Sequence, residues 1–393
     1  MTDLPAFLVA TSGDAFRIPF VMLLVFGSAK LLAELCERLG QPGIAGEILA
    51  GVLIGPSVLA WVAPDAFLGA MANIGAMFLL FRVGLEVKTS ELLRVGGTAA
   101  MVATAGVIAQ FLLGSVLLLL WGSTRIEALF MSAAMVATSV GITARVLGSR
   151  GLLAQRASKV ILAAAVIDDV EGLLVLAVVS SLARGRFNVS EILLTMVLAI
   201  GFTIVVAVWG AKAMGQFVPR LQERMRLAEA EFTVSLILLF TLSLLAVYAG
   251  VAAIVGAFLA GMALGEHVEP RVHDLTHGVS ELLVPFFLAG IGLHVDLRIF
   301  TSLPVVLLAL AILLTAVAAK LVGCGLAAWR LGPSDALRIG AGMVPRGEVC
   351  MVMAQLGLAL GVVRQEAYGV AVFMAVATTL LAPPLIRFAY RKA

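Results

Sequence analysis

Apolar runs long enough to cross a lipid bilayer follow one another along almost the whole chain, and they limit the possible folds more than any other feature. About 20 consecutive apolar residues span the hydrocarbon core as a helix. Bounded by charges, proline and glycine, the runs fall at about 18–38, 42–62, 67–85, 97–120, 126–148, 157–183, 190–211, 229–250, 251–266, 279–293, 302–328, 334–361 and 366–387. They predict an all-α integral membrane protein of about thirteen transmembrane helices. Inside lipid the backbone has no water to bond with, so only helices and closed barrels can span it. These runs are too continuous for the alternating pattern of a barrel strand. With 62% of 393 residues apolar and 13% charged, against about a quarter charged in soluble domains, little chain is left for a soluble domain.

The remaining composition sets further bounds. A net charge of +3 argues for no nucleic-acid partner, and lipid is the expected surrounding. Cys36, Cys324 and Cys350 lie in apolar stretches without metal-ligand spacing, which predicts inert buried thiols and no disulfide framework. Asp3 and Asp14 precede the first basic residue, Arg17, the wrong charge order for a cleaved signal, so the first helix is expected to be retained. Trp61, Trp121, Trp209 and Trp329 fall at run ends, where interfacial aromatics belong. Loop lysines and arginines gather on one side of the predicted topology, from Arg38 and Arg94 through Arg150, Arg220 and Arg271 to Arg391. That bias places the N-terminus outside and the C-terminus in the cytoplasm.

The two halves repeat. Ile44, Gly46, Leu49, Ala50, Gly51 and Gly55 recur 210 residues on as Ile254, Gly256, Leu259, Ala260, Gly261 and Gly265. Phe78, Gly84, Leu85 and Val87 recur 208 residues on as Phe286, Gly292, Leu293 and Val295, and Met135-Val136 recurs as Met343-Val344 at the same spacing. The first copy covers about 42–183 and the second about 251–387. The matched runs are seven spans apart, an odd step, so the copies should have inverted topology. Inverted repeats with interrupted helices are the architecture of secondary transporters, with the substrate site near the midplane.

Charges within the runs mark candidate sites, because a charge in lipid costs at least a few kcal/mol. Asp168 and Asp169 stand in the middle of the sixth run. Successive helix positions diverge by about 100°, so the two carboxylates face different surroundings. Lys320, inside the eleventh run, either snorkels to the interface or partners an aspartate. Gly342-Met343-Val344-Pro345-Arg346-Gly347-Glu348 is predicted to interrupt the twelfth run, since proline removes a backbone donor. Its repeat mate is Ala137-Thr138-Ser139-Val140-Gly141, where carbonyls and hydroxyls could meet a cation or simply bond back to their own helix. Glu348 and Arg346 could compensate dipole ends at the two breaks, or pair with each other. Glu47 is either structural or part of a cavity wall. Lys30 and Glu34, four apart, are expected to satisfy one another. Glu171 lies one turn from Asp168. His267, His273 and His277 are placed in a solvated loop before the tenth run.

At these residues the chain resembles the bacterial monovalent cation:proton antiporters of the second cation:proton antiporter group, most closely the NapA-type Na+/H+ antiporters. The resemblance extends over essentially the whole chain and rests on the run from Gly40 to Ser57, the Asp168-Asp169 pair, Lys320 and Pro345-Arg346-Gly347-Glu348. It implies two crossing broken helices, a core at about 97–183 and 302–387, and a dimerisation domain that makes a homodimer. It implies that Asp169 binds the ion and carries the proton, that Asp168 pairs with Lys320, and that Thr138 and Glu348 belong to the two unwound stretches. Glu171 departs from the pattern, where an apolar residue is expected.

The expected function is therefore antiport of Na+ (or Li+) against H+ by alternating access, electrogenic through Lys320. The chain is not expected to be an enzyme or to need a cofactor. Na+ would lie at Asp169, with Asp168, Thr138 and Ser139 as further oxygens. A bacterial inner membrane is the expected location. K+/H+ antiport is the alternative, and a Na+-coupled symporter of an organic solute comes after it. An intramembrane aspartyl protease is disfavoured, because its two acids must share a proton, whereas neighbours on a helix diverge.

Overall fold

The computed structural model describes residues 14–39, 43–86, 89–183, 193–194, 197–206, 209–210, 229–265 and 267–391. Among them every regular element is helical. The first set is α1 (Asp14–Arg38), α2 (Gly43–Ile54), α3 (Ala66–Glu86), α4 (Thr89–Leu120), α5 (Arg125–Val136), α6 (Val140–Gly148) and α7 (Arg156–Ala183). A short α8 (Val197–Val206) follows. The second set is α9 (Ala230–Tyr248), α10 (Ala253–Leu264), α11 (Pro270–Leu293), α12 (Leu303–Ala327), α13 (Pro333–Gly342), α14 (Glu348–Ala359) and α15 (Gln365–Arg391). Eight apolar stretches among the described residues are long enough to cross a bilayer.

Local chemistry sets many of the boundaries. Thr124 caps α5 by accepting the Glu127 N–H at 3.2 Å, as N-cap hydroxyls do. Pro333 opens α13 after Gly332, whose φ of +100° lies in the region that glycine tolerates. Several predicted runs come out differently. The second ends at Ile54, before Gly55-Pro56, so α2 has 12 residues; at 1.5 Å per residue that is about 18 Å, too short to span alone. The tenth begins nine residues earlier than predicted, at Pro270, which puts His273 and His277 on α11, while His267 stays in the loop. Turns beyond the apolar run still satisfy their own backbone, so a helix need not stop where the hydrophobic stretch does. Of the run predicted at 190–211, residues 190–192, 195–196, 207–208 and 211 lie outside the described residues.

The sequence repeat reappears as a repeat of contacts. A Cβ on Gly51 of α2 would collide with the Ala289 carbonyl of α11, and one on Gly292 of α11 with the Ile48 carbonyl of α2. At the mate crossing, a Cβ on Gly261 of α10 would overlap the Phe81 carbonyl of α3, and one on Gly84 of α3 the Phe258 carbonyl of α10. Gly46 lies against Leu32 of α1 as Gly256 lies against Leu242 of α9. Exchanging the two copies maps each contact onto its mate, the relation expected of a two-fold axis. Small residues let helix backbones meet in this way, and the close van der Waals packing that results is a source of attraction between helices in lipid.

Gly51→Ala and Gly261→Ala should each lower stability by about 1–3 kcal/mol, the usual cost of overpacking. Gly69→Ala, at a position with open space around it, should be neutral or better. Thermal unfolding in detergent checks the contrast, and equal behaviour of all three would contradict the close-packed crossing.

Candidate functional site

Two helices break where the sequence predicts it. Between α5 and α6 the chain is non-helical from Ala137 to Ser139, and between α13 and α14 from Met343 to Gly347. The two breaks meet and satisfy each other. Ser139 donates its N–H to the Pro345 carbonyl at 2.8 Å. The Thr143 hydroxyl donates to the Gly342 carbonyl at 2.8 Å, and that of Thr138 to the Met343 carbonyl at 3.3 Å. Without such partners, carbonyls at the end of a helix buried in lipid would be costly.

Arg346 completes the crossing. Its side chain is fully buried and donates to the carbonyls of Val136 and Ala137, at 2.9 and 3.1 Å, and to the Thr138 hydroxyl at 3.3 Å. A second guanidinium nitrogen reaches Gln110 Oε1 on α4 at 2.8 Å. A cation thus sits at the C-terminal, partially negative end of α5. The described bonds of this guanidinium go to carbonyls that have no donor within their own helix and to the Thr138 and Gln110 side chains. Glu348 is the first residue of α14, and its side chain lies outside the described residues.

Asp168 and Asp169 fall inside the unbroken α7. Lys320 on α12 donates to Asp168 Oδ1 at 2.6 Å, and neither side chain has any exposed surface, so the lysine does not snorkel. Asp168 Oδ2 accepts the Thr138 N–H at 2.8 Å, placing an anion just ahead of the N-terminus of α6, the end that favours one. Asp169 is 2% exposed. Asp168 faces Lys320, and Asp169, about 100° further round α7, faces a different neighbourhood. Glu171 is held by the Thr104 hydroxyl of α4 at 2.5 Å.

Other sequence expectations shift. Lys30 does not pair with Glu34: it reaches Glu47 and Glu281, each at 3.2 Å, and Glu34 instead holds Arg38 at 2.8 Å. Carboxylates on α2 and α11 brought close by the fold displace the local partner. Glu47 is 2% exposed and lines a cavity of about 450 Å³, so it is both buried and part of a wall. Cys324 and Cys350 are buried, but Cys36 is only partly so. Gln110, Thr378 and Thr379 are not among the residues expected at the site, yet Thr378 accepts the Arg346 N–H at 3.1 Å and Thr379 donates to its carbonyl at 2.7 Å. Gln110 could have been found by the rule that flagged Lys320, as a polar residue deep in an apolar run.

Comparison with known proteins agrees with this architecture. Residues 21–392 match the family model described as sodium/hydrogen exchanger, transmembrane. The chain is 32% identical to the Na(+)/H(+)-K(+) antiporter GerN of Bacillus cereus, over 95% of this chain and 97% of that one. It is also 32% identical to the high-affinity Na(+)/H(+) antiporter NhaS3 of a Synechocystis species, over 95% and 89%. The fold is similar to that of the sodium proton antiporter MjNhaP1 from Methanocaldococcus jannaschii, with a TM-score of 0.71 at 19% identity and 97% of each chain covered. A membrane protein of this fold, matched along nearly its whole length, belongs to the sodium/hydrogen exchanger family.

Proposed function

We propose that the chain exchanges Na+ (or Li+) for H+ across a membrane by alternating access, with Asp169 as the carboxylate that cation and proton share. The observation that carries this reading is the buried Asp168–Lys320 ion pair at the crossing of two broken helices, with Asp169 on the next helix position. The names of relatives that match over most of their length, GerN and NhaS3, support it.

The chemistry follows from burial. An ionised Asp169 in so dry a setting is costly, and either a bound Na+ or a proton relieves the charge, so each excludes the other. If the site changes sides only when neutralised, the two fluxes are coupled without ATP. An alkali cation suits hard oxygens; the candidates are the carboxylate of Asp169, then Asp168, Thr138 and Ser139. A cation that draws Asp168 away from Lys320 leaves the ammonium without its counter-charge. Release of the lysine proton then adds a second proton to the cycle and makes exchange electrogenic.

In this reading α4–α7 and α12–α15 form the ion-carrying core, the two copies have inverted topology, and the remaining helices serve as a scaffold through which two copies dimerise. Lipid or a second copy would cover the outer apolar faces of α1 and α9, where Leu31 and Tyr248 are 74% and 77% exposed. The loop charge bias and the bacterial relatives favour an inner membrane with the C-terminus in the cytoplasm. A second reading, K+/H+ antiport, is favoured only by the potassium in the name of GerN.

Asp169→Asn should abolish Na+-driven proton movement in proteoliposomes while the protein still folds, since the amide keeps the shape and loses the charge. Persistent exchange in that variant would remove Asp169 from its role. Running the same pH-jump assay with Na+, Li+ and K+ separately decides the cation. Lys320→Gln leaves a buried carboxylate without its partner, which should cost about 3–5 kcal/mol of stability. It should also make any remaining exchange insensitive to an imposed membrane potential. Unchanged potential dependence would show that Lys320 carries no proton.

A further inference from the structure

A second ion-pair cluster lies apart from the crossing. Arg145, near the end of α6, holds Glu281 of α11 at 2.9 Å. Glu281 also meets Lys30 of α1 at 3.2 Å and Arg82 of α3 at 3.6 Å. Lys30 in turn reaches Glu47 of α2 at 3.2 Å. Arg145, Lys30, Glu47 and Glu281 share the wall of the cavity of about 450 Å³.

The packing around this cluster is of two kinds. The helices α2, α3, α10 and α11 meet backbone to backbone at Gly51, Gly292, Gly84 and Gly261, contacts that fix them as one block. The broken helix α6 meets that block differently. The three atoms nearest a Cβ on Gly141 would be side-chain ends of Leu80, Phe287 and Leu79, with no backbone atom among them, an apolar surface suited to sliding. Across this joint the Arg145–Glu281 pair adds directional bonds. The Arg145 and Glu281 side chains are 15% and 37% exposed, so the carboxylate end of the pair is reached by solvent that competes for it.

The repeat makes the device one-sided. At the repeat spacings, Arg145, Glu281, Lys30, Glu47 and Arg82 correspond to Met353, Asn73, Phe240, Ala257 and Gly290. None of these mates is charged. Asn73 and Gly290 line another cavity of about 460 Å³, next to Met351 and Val352 of α14.

We propose that the Arg145–Glu281 pair, steadied by Lys30 and Glu47, is a latch that ties α6 to the scaffold at one end of the exchange cycle and opens once in each turnover. The proposal rests on the alternating-access reading and names the contact that must break for it to operate. With no counterpart in the other half, the latch favours one of the two access states.

The test is a reversible clamp. Arg145→Cys and Glu281→Cys are combined in a Cys36→Ser background and bridged in proteoliposomes with a bifunctional thiosulfonate of matching span, which reduction removes. Before bridging, the protein should exchange Na+ for H+; failure of the wild type to do so would sink the function reading rather than the latch. Bridging should stop exchange and reduction should restore it, whereas bridged protein that exchanges at the unbridged rate overturns the latch. Should the double variant not fold, Glu281→Gln serves. It should change by several-fold the rate at which a polar maleimide modifies a cysteine placed at Ala33, in the cavity wall. A purely structural ion pair would lower stability and leave that rate alone, and an unchanged rate likewise overturns the proposal.

Discussion

The Asp168–Lys320 ion pair, 2.6 Å long and closed off from solvent, is the interaction around which the rest is arranged. Removing a carboxylate and an ammonium from water costs several kcal/mol each, and mutual attraction offsets this only when the remaining lone pairs and protons are satisfied. The second oxygen of Asp168 therefore takes the Thr138 N–H, a donor that is available because the helix breaks there. Break and ion pair explain each other. A continuous helix would have used that N–H internally, and an unbraced carboxylate would be a poorer partner for the lysine.

Interrupting helices inside a membrane creates a second demand, for the carbonyls left at the end of α5. One guanidinium meets it: Arg346, from the opposite break, bonds two of those carbonyls and is itself anchored by Gln110, Thr378 and Thr379. The result is a polar centre whose charged groups are held by named partners, placed between helices that are otherwise apolar. Asp169 is the next residue of α7 after Asp168 and is itself buried. Around this centre the glycine crossings make one block of helices unyielding, while α6 rests on that block through leucine and phenylalanine side chains. Rigidity and slip are thus assigned to different contacts by the presence or absence of a side chain.

Much of this was legible in the order of residues. The apolar runs fixed the class, and proline, glycine, threonine and serine within two of them located both breaks to within a few residues. The repeat spacing picked out the glycines that turn out to cross. What failed were inferences about partners. Lys30 was matched to its neighbour Glu34 because spacing along one helix is all that a sequence offers, yet Glu47 and Glu281 reach it from 17 and 251 residues away. Likewise the carbonyls that Arg346 bonds lie about 210 residues earlier in the chain, beyond the reach of any local spacing rule.

The sequence by itself determined that this chain lives in lipid, that its halves are copies, and that a few charges are buried at cost. Each follows from transfer energies and periodicity, which act residue by residue. Only the tertiary structure decided which of those charges meet. Pairing depends on helix rotation and crossing geometry, set by packing between segments far apart in the chain. A single sequence holds those distances only implicitly, in where its glycines permit two backbones to touch.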